Sequence, residues 1–228
     1  MFAGHLGAAL AIGRAERAVN VGVFIAAALL LDFLLWIFVI LGWESADIPA
    51  NFASTHQPEF VFPYSHGLVA SVAWSVLAGG LAFALLSRLP TRSRAAVLVA
   101  VAVLSHWALD ALVHRPELPL AFSGSRRVGL ALWNHMPVAL TLEALLVVVG
   151  LCLFISGTRI GRNKSIALAV LSLVVMGFTA VGMTIASAPP SPTVMAWSSL
   201  GMLAVVCVLA CWLGSLSSTR SQWLHPRA

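Results

Sequence analysis

The 228-residue sequence has few charged residues: Asp, Glu, Lys and Arg make up only 9% of it, and Lys164 is the one lysine among 13 basic residues. Soluble domains carry about 25% charged and about 45–50% apolar residues, whereas 60% of this chain is hydrophobic. So few charges cannot cover a surface that faces water. The composition excludes a soluble globular domain, a disordered chain and a coiled coil, and it predicts an integral membrane protein.

Cysteine is also scarce. The three cysteines, Cys152, Cys207 and Cys211, all lie within apolar runs, which excludes a disulfide scaffold. Cys207 and Cys211 are one helical turn apart, a spacing that can bind a soft metal, but we favour small apolar side chains that pack between helices. No basic residue precedes the first apolar stretch, so we expect no cleaved secretory signal.

Long apolar runs dominate the chain. A helix that crosses a membrane needs about 20 largely apolar residues. Six runs have this length, at approximately 20–42, 65–87, 95–113, 136–157, 165–187 and 194–216. A seventh, residues 2–13, is too short to span and predicts a half-length helix beside the first span or an interfacial helix. The predicted fold is therefore all-α, a polytopic bundle of six transmembrane helices plus a short N-terminal half-length helix.

The basic residues form small groups between the apolar runs, which argues against a nucleic-acid-binding face, where such residues cluster. Most groups flank alternate runs: Arg14 and Arg17, then Arg88, Arg92 and Arg94, then Arg159, Arg162 and Lys164, and finally Arg220 and Arg227. By the positive-inside rule, both termini are predicted to be cytoplasmic. Loop 114–135 breaks the pattern, because it places Arg115, Arg126 and Arg127 on the predicted outer side, and this favours a functional role for them.

Ionisable residues are distributed unevenly along the chain. The fifth and sixth runs contain no Asp, Glu, Lys, Arg or His, whereas the first four runs and their outer loops hold nearly all of them. We therefore predict one integral membrane domain in two halves. Residues 1–157 form a half with a polar site, and residues 158–228 form a hydrophobic scaffold.

Several ionisable residues are predicted to lie inside spans, where an Asp or Arg costs about 2.5–3.5 kcal/mol at mid-helix on insertion scales. Asp32 lies in the middle of the first span and His66 begins the second. Such residues face the bundle interior and find partners there. Each is therefore a candidate site residue.

The third and fourth spans add more of these residues. His106, Asp110 and His114 are spaced i, i+4 and i+8, so they share one face of the third span. His135 opens the fourth span, and Glu143 lies eight residues deeper. In the predicted topology these residues reach similar heights toward the outer half of the membrane.

Imidazole and carboxylate groups at neighbouring heights predict a site for a hard-to-borderline divalent metal ion, zinc above all. Structural roles without a metal ion stay open for some of these residues. Asp32 can cap a neighbouring helix, His135 can be an interfacial residue, and His106 with Asp110 can form a buried hydrogen bond that only joins helices.

Several motifs also resemble a known family. They are Gly4-His5, Asp32 within an apolar run, Pro63-Tyr64-Ser65-His66 and Ser105-His106-x-x-x-Asp110. In this order they resemble the metal-dependent hydrolases of the bacterial inner membrane, the LexA-regulated membrane-bound hydrolase group. The stretches 104–119 and 128–134 look like a branch of that group without an assigned function. The resemblance covers about residues 3 to 145.

The resemblance implies a metal site formed by His5, Asp32, His66, His106 and Asp110. If residues 3–13 form a half-length helix that ends at Arg14, His5 lies about 13 Å from that end, near the depth of Asp32. Many members of the family also carry a second Asp and a His shortly after the first Asp. Leu34 and Leu35 stand there in this chain, which speaks against a two-metal site.

The favoured function is a metal-dependent hydrolase acting on a lipid or amphiphile, with a phosphoester as one candidate, at the outer face of the bacterial inner membrane. Asp32 and Asp110 are the candidate catalytic carboxylates. The candidate substrate-binding residues, suited to an anionic head group, are His114, Arg115, Arg126, Arg127, Asn134 and His135. Two alternatives remain: a non-catalytic scaffold or assembly protein, and an ion-coupled transporter that uses Asp32, Asp110 and Glu143.

Overall fold

A computed structural model describes residues 1–158 and 160–215 of the chain, and it is an all-α bundle. Its helices are α1 (Phe2–Gly13), α2 (Val21–Ala28), α3 (Leu30–Ile40), α4 (Phe52–Thr55), α5 (Leu68–Leu85), α6 (Arg92–Val113), α7 (Met136–Gly157), α8 (Arg162–Thr184) and α9 (Pro192–Ser215). A 3-10 helix (Leu132–His135) precedes α7. The predictions made for Arg159, Arg220 and Arg227 lie outside the described residues.

The predicted all-α bundle of long apolar helices is confirmed. Within residues 1–158 and 160–215, the five helices α5 to α9 are long and apolar enough to cross a membrane. Helices α2 and α3 meet the same test as a pair bent by 47° at Leu29, and they make a sixth span if the pair crosses as one unit. The chain is therefore a multi-pass helical bundle, and the short N-terminal helix predicted for residues 2–13 is α1.

The bend between α2 and α3 lies beside the polar residues of the bundle. Next to it, the backbone oxygen of Ala28 accepts a hydrogen bond of 2.6 Å from Nδ1 of His106. Broken helices are tolerated at membrane depth where neighbouring groups bind the freed backbone. The bend also places Asp32 in the first turn of α3.

Helix α1 lies inside the bundle, packed against α7, α2 and α6. Its contact with α7 is close because glycines meet there: a Cβ added at Gly7 would lie 2.7 Å from the backbone nitrogen of Val147, and one added at Gly150 would overlap the backbone of Gly7. Small residues allow this approach of two backbones, which drives helix association in membranes. The far end of α1 meets the end of α7, where Arg14 contacts Gly157.

Four basic residues lie at that same end. Arg14, Arg17 and Arg94 line one surface pocket there, and Arg17 and Lys164 line another. At the opposite end, two antiparallel hairpins connect the spans. Strand β1 (Ser45–Asp47) pairs with β2 (Glu59–Val61), and β3 (Leu118–Pro119) pairs with β4 (Arg127–Val128).

The last two spans pack on different helices of the bundle. Helix α8 packs on α7 and α1, whereas α9 packs on α2 and α3. At the contact of α9 with α2, a Cβ added at Gly22 would lie 2.6 Å from the backbone of Cys211. Cys211 therefore serves close helix packing, which agrees with the interpretation favoured for the cysteines.

The Gly7–Gly150 contact makes Gly150 intolerant of a side chain. We expect Gly150→Leu to lower the free energy of unfolding in detergent by about 1–3 kcal/mol, because the added carbons separate α1 from α7. Gly177→Leu is the matched control, since a Cβ at Gly177 meets no atom of the described chain within 4 Å. Equal stability of the two variants would contradict this packing.

Candidate metal centre

The structure brings five of the predicted site residues into one cluster. His5 comes from α1, Asp32 from α3, His66 from the segment before α5, and His106 and Asp110 from α6. Four of them are fully buried, and the Asp32 side chain is 22% exposed. Four separate elements therefore converge on one point inside the bundle.

Asp110 is the centre of the cluster. Its Oδ1 lies 3.2 Å from Nε2 of His5, and its Oδ2 lies 3.2 Å from Nε2 of His106 and 3.5 Å from Nε2 of His66. The backbone nitrogen of Met1 is 3.1 Å from Oδ1, so α1 begins inside the bundle. Oδ1 of Asp32 lies 3.6 Å from His106 and 3.7 Å from His66.

These separations suit metal coordination. The ligand atoms of His66, His106 and Asp110 lie 3.1, 3.2 and 3.5 Å from one another. Zinc bonds to nitrogen and oxygen are about 2.0–2.2 Å, so two atoms bound to one ion can be at most about 4 Å apart. The first group meets this limit, and His5, Asp32 and His106, whose ligand atoms lie within 4.8 Å of one another, adjoin it through His106. The buried residues can therefore hold a metal ion.

In His66 and His106 the Nε2 atom faces the cluster, and a hydrogen bond made by Nδ1 fixes the tautomer of each ring. A carbonyl oxygen only accepts, so Nδ1 of His106 carries the proton that it donates to Ala28. The Nε2 atom of a neutral His106 ring then presents a lone pair to the cluster. Metal-binding histidines are oriented in this way by an acceptor on the far nitrogen.

His66 is oriented by a chain of two hydrogen bonds. Its Nδ1 lies 2.8 Å from Oγ of Ser65, and that hydroxyl donates to Oε2 of Glu44 at 2.6 Å. Because the Ser65 proton is directed to Glu44, the Ser65 oxygen accepts from Nδ1 of His66. The Nε2 lone pair of His66 then also faces the cluster.

Glu44 was not among the predicted site residues. Its Oε1 accepts from the backbone N–H groups of Tyr64 at 2.7 Å and Ser65 at 2.8 Å. Burial raises the pKa of Glu44 above its ordinary value, and the three hydrogen bonds offset only part of that effect. In the sequence, Glu44 is one of three acidic residues in a loop without Lys or Arg. That pattern predicts which side of the membrane the loop faces, and it does not predict a site.

The facing nitrogens of His66 and His106 are only 3.1 Å apart. With both Nδ1 protons directed away, two neutral rings would bring two lone pairs together. A cation or a shared proton between them removes that repulsion. The pair is therefore incomplete without a positively charged species.

His5 is the least satisfied residue of the cluster. Its ring stacks on that of His106 with centroids 3.7 Å apart. Among the described residues, neither of its ring nitrogens has a hydrogen-bond partner of good geometry. A buried polar group left unpaired costs about 1–3 kcal/mol, so this imidazole is available as a metal ligand.

His114 lies at the edge of the cluster. Its Nε2 is 3.7 Å from Oδ2 of Asp110, and its Nδ1 is 2.6 Å from Oε1 of Glu117. Its ring lies against Trp133, with centroids 4.1 Å apart. This predicted substrate-binding residue is thus a buried imidazole at the edge of the cluster.

The other predicted substrate-binding residues lie further out. Arg115 and Asn134 line a separate cavity of about 430 Å³ next to the cluster. Arg126, Arg127 and His135 are exposed, and none of them lines the cavity around the cluster in the described part of the chain. The first two lie in or beside the β3–β4 hairpin, and His135 ends the 3-10 helix, so connecting segments carry all three to the surface.

Glu143 has a structural partner. Its Oε2 accepts a hydrogen bond of 3.1 Å from the backbone nitrogen of Gly4, in the first turn of α1. A carboxylate at the N-terminus of a helix satisfies free N–H groups and complements the helix dipole. Glu143 therefore fixes the start of α1, and with it the position of His5.

No family model matches the chain, and no curated protein or solved structure shows significant similarity to it. The family resemblance of the motifs therefore stays a prediction. The function of the protein has to be inferred from the geometry of the cluster.

The two serines that precede cluster histidines give a matched test. We expect Ser65→Ala to weaken zinc binding by about 10–100-fold, because His66 loses the acceptor that orients its ring. Ser105→Ala should leave the affinity unchanged, since the Ser105 hydroxyl donates only to the backbone oxygen of Ala102. Chelator competition with the purified protein measures both. Equal affinities would show that the Glu44–Ser65–His66 chain does not orient a ligand.

Proposed function

We propose that the cluster binds a divalent metal ion, zinc in the first place, and that the protein is a membrane-embedded metal-dependent hydrolase acting on a lipid or amphiphilic substrate. The observation that carries this proposal is the pair of Nε2 atoms of His66 and His106, 3.1 Å apart, whose Nδ1 protons are already engaged.

The charge balance of the interior supports a metal ion over a shared proton. Asp32, Asp110 and Glu143 all line the cavity at the cluster, and among the described residues no arginine or lysine side chain lines it. The N-terminal ammonium of Met1 pairs with Asp110 at 3.1 Å and balances one of the three carboxylates. Buried carboxylates that lack a cationic partner are strongly destabilising. One divalent ion supplies more compensating charge than one proton, and the imidazole and carboxylate donors suit zinc.

The residues divide into distinct roles. His66, His106 and Asp110 have the shortest mutual distances, so they hold the ion, and His5 and His114 lie close enough to complete its coordination. A bound metal ion lowers the pKa of water and polarises a phosphoryl or carbonyl oxygen. Asp32, the partly exposed carboxylate, is positioned to take a proton from water as a general base.

The basic residues favour one orientation in the membrane. Arg14, Arg17, Arg94 and Lys164 line pockets at the end of the bundle that holds the far end of α1, whereas the cluster lies at its start. By the positive-inside rule that basic end is cytoplasmic. The cluster then lies toward the outer face, and the family resemblance implies the bacterial inner membrane.

Two variants separate metal binding from chemistry. His106→Ala removes a central ligand, so we expect loss of both the bound metal and hydrolysis. Asp32→Asn should retain the metal and lower the hydrolytic rate by about 10²–10⁴-fold, the usual contribution of a general base. Metal content is measured by mass spectrometry, and hydrolysis by product formation in nanodiscs of total bacterial lipid.

Thr141→Ala is the control, because Thr141 is exposed and its hydroxyl donates to the backbone oxygen of Pro137 on its own helix; both the metal and the activity should persist. Purified protein without stoichiometric metal would contradict the metal site. Metal-loaded protein that forms no product from any membrane lipid would contradict the hydrolase assignment alone.

A further inference from the structure

The last two spans, α8 and α9, form one wall of the cavity beside the cluster. The cavity holds about 290 Å³ and reaches from Asp32, His66 and Asp110 to α8 and α9. The side chains or backbone that form this wall belong to Phe178, Gly182, Met183, Met195, Ser199 and Met202. Residues 165–187 and 194–216, which contain this wall, have no Asp, Glu, Lys, Arg or His.

The loop side of the cavity is covered by the segment that contains α4. Phe52, His56 and Phe60 of this segment line the cavity. Nδ1 of His56 donates to the backbone oxygen of Ala186 at 2.9 Å, and Nε2 of Gln57 donates to that of Trp133 at 3.2 Å. These hydrogen bonds attach the cover to the α8–α9 connection and to the 3-10 helix.

The lateral side of the cavity is open. Phe178 lines it and is nevertheless 51% exposed, so the cavity reaches the outer surface of the bundle beside this ring. Helices α8 and α9 pack on different partners and contact each other only weakly. At Gly182, no atom of the described chain lies within 4 Å of an added Cβ. In a membrane, such an opening faces hydrocarbon.

The chemistry of this wall suits a hydrocarbon chain. A polar solute would lose its hydration on this path, whereas a methylene chain gains from contact with an apolar wall. Methionine side chains adapt their shape to a flexible ligand. The cavity is near the lower end of the range for ligand sites, about 300–1,000 Å³, so it accommodates a head group and only part of a long chain.

We propose that the substrate is a membrane-resident amphiphile whose hydrocarbon chain enters sideways between α8 and α9, passes Phe178 and lies over Gly182. Its polar head then reaches Asp32, His66 and Asp110. This inference rests on the proposed hydrolase function and specifies its substrate class and path. It also gives the scaffold half a role, as the wall that binds the chain.

The test uses a neutral probe, a C16 alcohol with a mid-chain diazirine, and the full-length protein in nanodiscs. After illumination, peptide mass spectrometry should find labelling of Met183 and Met202 that excess unlabelled hexadecanol prevents. Gly182→Leu should lower this labelling on the order of tenfold, the loss expected when about two buried methylenes are displaced. Gly177→Leu, an exposed position on the same helix, should leave it unchanged.

A second pair of variants tests the α9 side of the cavity. Ser199→Leu faces the cavity and should also reduce labelling, whereas Gly201→Leu points to open space and should not. This pair decides the result if Gly182→Leu does not fold. Wild-type labelling in both cavity variants, or labelling that hexadecanol does not prevent, would overturn the inference.

The neutral probe does not need the metal, so the two proposals fail separately. If the protein binds metal and the cavity variants label like wild type, the lateral path is wrong and the metal site stands. If the variants block labelling but the protein holds no metal, the chain site stands and the hydrolase proposal is wrong.

Discussion

The bundle is organised around one buried carboxylate, that of Asp110. Imidazole nitrogens from α1, from the segment before α5 and from α6 itself lie within 3.5 Å of its two oxygens. The N-terminal ammonium of Met1 also lies 3.1 Å from this carboxylate. A buried charge is very costly in a membrane interior, and a group that completes its neutralisation would also join the helices that carry His5, His66 and His106. In our proposal that group is a metal ion, so metal binding and assembly of the bundle are coupled.

The surrounding fold serves this arrangement at several positions. Gly7 and Gly150 let α1 pack close to α7, and Glu143 holds the first turn of α1, so His5 reaches the cluster. The bend after Ala28 lies where the backbone accepts the proton of His106. Outer hydrogen-bond partners of this kind orient ligands and tune a metal. In this protein the partners are the backbone oxygen of Ala28, the hydroxyl of Ser65 and the carboxylates of Glu44 and Glu117.

The spans and the ligands on one helix were predictable because the relevant signals are local. Hydropathy located the long apolar helices within a few residues, and the i, i+4 spacing placed His106 beside Asp110. The role of Glu44 depends on how a loop folds back onto Ser65, and no periodic pattern encodes that. Charge alone gave Arg126 and Arg127 a substrate-binding role, but it does not show which way a hairpin directs its side chains. Apolar spans give no signal for a cavity wall, so the contribution of α8 and α9 required the fold.

X-ray absorption at the zinc edge, on protein purified from membranes without added metal, decides whether the cluster around Asp110 is a metal centre. We predict about one zinc ion per chain, with nitrogen and oxygen ligands at about 2.0–2.2 Å and the scattering pattern of at least two imidazoles. Sulfur ligands at about 2.3 Å would place the metal at the cysteines instead. Such a spectrum, or protein without zinc or another stoichiometric divalent metal, would contradict the proposed centre.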